Sequence, residues 1–179
     1  GSTVTGNTVR DNTGYGLNLA ADAGYRENIL TGNTAGAVNG GVNMSLGGAR
    51  EINQACADNT GCFSGDSAGL PVTITAAGSY RLTSNLIVPD ENTDGITVSV
   101  NDVGIDLNNF AIILSGCESS CTVTLGAGEG IGVSDPGLYD ISVKNGSVVG
   151  MGMTGVHVGK NSAVSNVTVR LNNGWGIHA

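Results

Sequence analysis

The chain repeats itself every 21 residues, and the repeat is divided between its two ends. One unit starts at Val143 and the next at Val164; after Ala179 the pattern resumes near the N-terminus, with units starting at Val4 and Tyr25. The fifth residue on is apolar in each unit (Val148, Val169, Val9, Leu30). The eighth is Asn172, Asn12 or Asn33, with Met151 the exception, and a small–apolar pair follows (Gly155-Val156, Gly176-Ile177, Gly16-Leu17, Ala37-Val38). Segments 162–179 and 2–19 align without a gap, so the last residues read as the unit just before the first.

A unit of this size holds three short strands and the turns between them, which is the size of one coil of a parallel β-helix. Each coil stacks on the one before, about 4.8 Å away, so positions 21 apart form ladders. The ladder Val148–Val169–Val9–Leu30 is expected to line the core. The Asn ladder is expected at a turn, where Asn tolerates left-handed backbone and stacked amides bond along the axis. Composition agrees: Gly is 30 of 179 residues, aromatics 4% and charged residues 12%, which suits short strands and tight turns and neither helix nor disorder.

Net charge is −8 with only seven Lys and Arg, none clustered, which disfavours nucleic acid and anionic membranes as partners. No apolar run reaches the length of a membrane span. No leader peptide is legible, and the Gly-Ser start reads as a processed N-terminus or a cloning remnant. The four cysteines form two close pairs, Cys56/Cys62 and Cys117/Cys121, in Gly-, Ser- and Asp-rich surroundings without a nearby His. Two local disulfides and an oxidising compartment are expected, against free thiols or a metal site.

Along the chain, residues 1–42 hold two coils, 43–71 carry no repeat and form a connector or cap with the first cysteine pair, and 72–179 hold four more coils. Alternation in Ile96–Val100 and Val103–Leu107 marks strands. The segment 138–148 matches 102–112, placing Leu107 on Val143, Asn109 on Asn145 and Ile112 on Val148. About six coils result.

The stretch INQACADNTGCFSGDSAGLPVTITAAGSYRLTSNLIVP, the segment GIDLNNFAII and the units NVTVRLNNGWGI and GNTVRDNTGYGL resemble secreted bacterial right-handed parallel β-helix repeat proteins of the pectin-lyase-like superfamily. The resemblance covers most of the chain and implies a right-handed β-helix. It does not fix an activity, because that superfamily contains lyases, hydrolases, epimerases and non-enzymatic repeat proteins. In such proteins the Cys-containing stretch comes early and units like YRENILTGNTAGAVNGGVN come last; here the order is circularly permuted.

No catalytic residue, metal ligand or cofactor is expected. Polysaccharide-cleaving sites on this fold need gathered carboxylates, and the acids here are scattered. Asp106 points outward with Ser142 expected one coil on, so no dyad forms. Asp90, Glu91 and Asp94 read as a solvated turn in preference to a Ca²⁺ loop. His157 and His178 are 21 apart and should stack outward, with Asn18 and Asn39 continuing the row. Arg10 and Arg170 form a similar row if the ends stack, and Tyr15 and Trp175 are equivalent positions. Contact with a polysaccharide through these aromatics is the alternative to their covering a seam.

The functional expectation is an extracellular or cell-surface structural subunit that polymerises head to tail. Coils 3–42 would complete the open coil 164–179 of a neighbour, with Val4, Val9, Arg10, Tyr15 and Leu17 meeting Val164, Val169, Arg170, Trp175 and Ile177 across the seam. A permuted monomer closed on itself competes with this, because the connector of 29 residues spans roughly 95 Å extended and six coils are about 29 Å tall.

Overall fold

The computed structural model describes residues 3–5, 8–20, 24–26, 29–31, 33–39, 42–43 and 48–179, which divide into two compact units, 1–49 and 50–179. Both are built of short parallel strands, with one short helix among the described residues.

In the first unit the strands are β1 (Thr3–Thr5), β2 (Thr8–Arg10), β3 (Tyr15–Asn18), β4 (Gly24–Arg26), β5 (Ile29–Thr31), β6 (Gly36–Asn39) and β7 (Val42–Asn43). Three parallel ladders run β1-β4-β7, β2-β5 and β3-β6. Val4 lies opposite Tyr25, Val9 opposite Leu30 and Leu17 opposite Val38, each 21 residues on, as the repeat requires. The Asn ladder also forms: the Asn12 amide donates to Asn33 Oδ1 at 2.9 Å, and the Asn33 amide donates to the Val9 carbonyl at 3.1 Å.

The second unit opens with β8 (Arg50–Ile52) and α1 (Gln54–Asn59), followed by β9 (Val72–Ile74), β10 (Gly78–Leu82), β11 (Leu86–Val88), β12 (Ile96–Val98), β13 (Val103–Asp106) and β14 (Ala111–Leu114). It continues with β15 (Ile131–Val133), β16 (Ile141–Val149), β17 (Val156–His157), β18 (Ala163–Arg170) and β19 (Ile177–His178). One parallel sheet runs β19-β17-β15-β12-β9; the other runs β11-β14-β16-β13-β10-β8, with β18 also on β16. Their inner faces close on one apolar core containing Ile52, Leu82, Ile96, Ile105, Ile112, Ile131, Val143, Val148 and Val156, all essentially without exposure.

The register of β16 and β18 is the expected 21, with Val143 opposite Val164 and Val148 opposite Val169. The register of the preceding turn differs from expectation. Ile112 faces Val148, but Val143 faces Ile105, not Leu107. The turn from β13 to β14 holds two more residues than its counterpart in β16, taken up by Asn108 and Asn109 at φ 50° and 63°. The Asp106 carboxylate anchors it by accepting from Asn108 N at 2.9 Å. Accordingly the residue opposite Asp106 is Lys144, not Ser142, and the two form an ion pair at 3.7 Å.

Residues 50–71, which the repeat does not reach, belong to this unit. The helix α1 is capped by Asn53, which accepts from Cys56 N at 2.9 Å, and it buries Ala57 against the core. Gln54 Oε1 accepts from Ile87 N at 2.7 Å. Both expected disulfides are present, Cys56–Cys62 and Cys117–Cys121. Such bonds persist in non-reducing surroundings. No described helix is long and apolar enough to cross a membrane.

Candidate functional site

Two features of the second unit stand apart: its exposed end, and a polar face that runs to that end. The end is β18 and β19. Val143, Val148 and Val156 are fully buried, whereas Val164 and Val169 are half-buried and Ile177, opposite Val156, is 48% exposed. Trp175 is 58% exposed beside it.

A glycine ladder shows what a further layer would do there. Gly95, Gly130, Gly155 and Gly176 each precede the first residue of β12, β15, β17 and β19. A Cβ on Gly95 would meet the Gly130 carbonyl at 2.7 Å, one on Gly130 the Gly155 carbonyl at 2.6 Å, and one on Gly155 the Gly176 carbonyl at 2.7 Å. On Gly176 the nearest atom is Val169 Cγ1 at 3.7 Å, an ordinary contact. Glycine is dictated by the layer above at the first three rungs, and the last rung keeps it with no such layer on this unit.

The polar face comprises two columns. Main-chain bonds Gly95 N–Glu129 O, Gly130 N–Thr154 O and Gly155 N–Trp175 O, of 2.8 to 3.0 Å, stack Asp94, Glu129, Thr154 and Trp175 in the first column. Three residues further along each rung lie Thr97, Gly132, His157 and His178 in the second. Side chains cross from column to column. Asp94 Oδ2 accepts from Thr97 Oγ1 at 3.2 Å, the Glu129 carboxylate occupies the space a Cβ on Gly132 would need, and Trp175 tilts against His178 with ring centroids 4.6 Å apart. The imidazoles of His157 and His178 stack at 4.6 Å and 19°, as the 21-residue spacing anticipated. His157 Nδ1 lies 3.2 Å from Glu129 Oε1.

Asp94 and Glu129 are therefore neighbouring carboxylates on adjacent rungs, a pairing the scattered acids of the sequence did not reveal. Glu129 N donates to Asp94 Oδ1 at 2.7 Å. Burial pushes the Glu129 carboxyl above its ordinary value, and Asp94 adds to the rise, while His157 and the Thr154 hydroxyl oppose it. Thr154 Oγ1 is fully buried and close to this carboxylate, yet makes no hydrogen bond of ordinary geometry. A carboxyl with a raised folded-state value favours folding in its protonated form. That contribution is present below the unfolded carboxyl value of ~4.3 and is lost as pH rises through the folded one. Glu129→Gln is therefore expected to gain stability relative to the parent as pH rises through this window, read as the difference in melting temperature; a gap that narrows with rising pH contradicts the assignment.

The remaining expected residues fall as follows. Asp90 closes an Asx turn, accepting from Asn92 N at 2.8 Å, but PDENTDG is not simply solvated: Glu91 accepts from Thr124 Oγ1 at 2.9 Å, its carbonyl from Gly128 N at 2.8 Å, and Asp94 reaches the polar face. Arg170 reaches the Glu118 carbonyl at 3.5 Å in the second disulfide loop. Tyr15 is exposed, Leu17 is buried and Arg10 is exposed, all on the first unit. Val164, Val169, Trp175 and Ile177 gather at the end of the second unit. Among the described residues no group of three or more His, Cys, Asp or Glu is placed to hold a metal ion. Comparison with protein-family models, curated proteins and solved structures finds no match.

Proposed function

We propose that the chain is an extracellular structural subunit, a right-handed parallel β-helix that assembles head to tail, with coils 3–42 of one copy stacking on β18 and β19 of the next. The single observation that carries this reading is the surface of β18 and β19: Ile177 and Trp175 exposed, Val164 and Val169 half-buried, and Gly176 continuing the glycine ladder with nothing nearer to a Cβ than Val169 Cγ1 at 3.7 Å. The sequence supports coils 3–42 as the occupant. Residues 2–19 match 162–179 without a gap, and the first unit stacks its own strands at the same spacing of 21. Right-handedness rests on the rule that parallel crossover connections take that hand.

Energetics favour the contact. Covering Val164, Val169 and Ile177 and burying the facing apolar residues of the incoming coil contribute about 1.5–3 kcal/mol per fully buried side chain. Association costs about 4–15 kcal/mol in lost freedom, which a seam of several such residues must offset. Head-to-tail contact of two different surfaces does not close and generates filaments. Light scattering across nanomolar to micromolar chain should show particles that grow with concentration. A sharp monomer throughout contradicts assembly and favours a chain closed on itself.

A second reading, a face acting on a polysaccharide, is favoured by the Asp94–Glu129 pair. It ranks lower because both Asp94 oxygens already accept bonds from the chain itself, and Glu129, 13% exposed, is engaged by His157. Polymer turnover abolished by Glu129→Gln would establish it.

A further inference from the structure

His178 is the last imidazole of the stacked row and lies on the exposed end. In the first unit the equivalent row is Asn18 and Asn39, and its hydrogen bond has a direction: the Asn39 amide donates to Asn18 Oδ1 at 2.9 Å. With its oxygen turned toward Asn39, Asn18 presents its NH₂ to whatever lies on its other side. We infer that assembly is switched by pH at His178, because the incoming coil of a second copy covers this ring with the Asn18 amide donor and can do so only while the ring is neutral. This inference rests on the assembly reading and specifies how it is regulated.

Three physical terms point the same way. On the free end His178 is exposed, so an imidazolium there is solvated by water; under a further coil that hydration is lost, and a buried cation needs a compensating anion. None is supplied from above, where the positive end of an amide dipole arrives. Below lies His157, stacked at 4.6 Å, with its Nδ1 3.2 Å from Glu129 Oε1. A proton on each ring would place two cations face to face. The titratable groups on this side are His157, Glu129 and, behind Glu129, Asp94; Trp175 flanks His178 and carries no charge. A neutral imidazole suffers none of this, and its face accepts an N–H donor weakly.

By linkage, assembly that requires an unprotonated ring weakens as pH falls, by up to roughly tenfold per pH unit. The direction is diagnostic. The chain carries a net charge of −8, so acidification reduces general repulsion and by itself promotes association.

The test is the particle size of the full chain at pH 7.5 and 5.0, for the wild type, His178→Asn and Asn18→Asp. His178→Asn continues the amide row and removes the titrating ring. Asn18→Asp keeps an acceptor for Asn39 and sets a carboxylate over the imidazolium. Expected are wild-type particles at pH 7.5 that dissociate at pH 5.0, His178→Asn particles at both, and Asn18→Asp particles favoured at pH 5.0. Wild-type assembly that persists or strengthens at pH 5.0, or a His178→Asn variant that still dissociates there, overturns this inference and leaves the assembly reading standing. No assembly of the wild type at either pH overturns both.

Discussion

Replacing Val148 by Asp should destroy the cooperative unfolding transition of the second unit, whereas Val169→Asp, the same position one rung on, should leave it within a few degrees of the parent. Val148 has no exposure and packs in the core between Ile112 and Val169. A carboxylate there is a buried charge with no partner, at about 3–5 kcal/mol, a large part of the 5–15 kcal/mol that holds an ordinary domain together. Val169 is only half-buried, on the exposed strand β18, so its replacement can reach water. Under the assembly reading this second variant nevertheless fails to form particles, because the incoming coil would bury the charge. Circular dichroism melts separate the two; equal loss of stability in both would mean that β18 is as interior as β16.

The glycine ladder supplies the second large effect. Gly155→Ala sets its Cβ against Val169 Cγ1 and 2.7 Å from the Gly176 carbonyl, and that carbonyl cannot move without parting β17 from β19. Overpacking of this kind costs about 1–3 kcal/mol. Gly176→Ala meets only Val169 Cγ1 at 3.7 Å and should leave the melting temperature unchanged. If a further rung stacks there, the same methyl meets its carbonyl and assembly is lost. A Gly176→Ala chain that is stable and still assembles would show that β19 receives no rung in this register.

Much of this architecture is legible in the sequence wherever units have equal length. Val143 with Val164, Val9 with Leu30, the His157–His178 stack and the Asn12–Asn33 ladder all follow from counting 21, because equal coil lengths turn sequence spacing into spatial register. Counting fails where turns differ. The two extra residues at Asn108 and Asn109 shift β13 against β16 and replace Ser142 by Lys144 opposite Asp106. The polar face was hidden for the same reason: Asp94, Glu129, Thr154 and Trp175 are separated by 35, 25 and 21 residues, since the loop with the second disulfide lengthens one coil. A signal independent of length was present. Each of these residues immediately precedes the glycine of a Gly–apolar pair (Gly95-Ile96, Gly130-Ile131, Gly155-Val156, Gly176-Ile177), and aligning on that pair places all four in one column. The strand β8 and helix α1 had no such marker, because they carry no repeat and are held by capping, a disulfide and burial of Ala57.

The central claim, that residues 3–42 stack on β18 and β19 of another copy, is tested most directly by a covalent lock at the expected register. All four native cysteines are paired, so a double variant Asn18→Cys/His178→Cys adds the only free thiols. Neighbouring rungs about 4.8 Å apart bring such a pair within reach of a disulfide with little adjustment. After mild oxidation, a non-reducing denaturing gel should show a ladder of covalent multimers, absent in either single variant beyond dimers. Monomer alone, whether uncrosslinked or closed by an internal bond, would contradict the account.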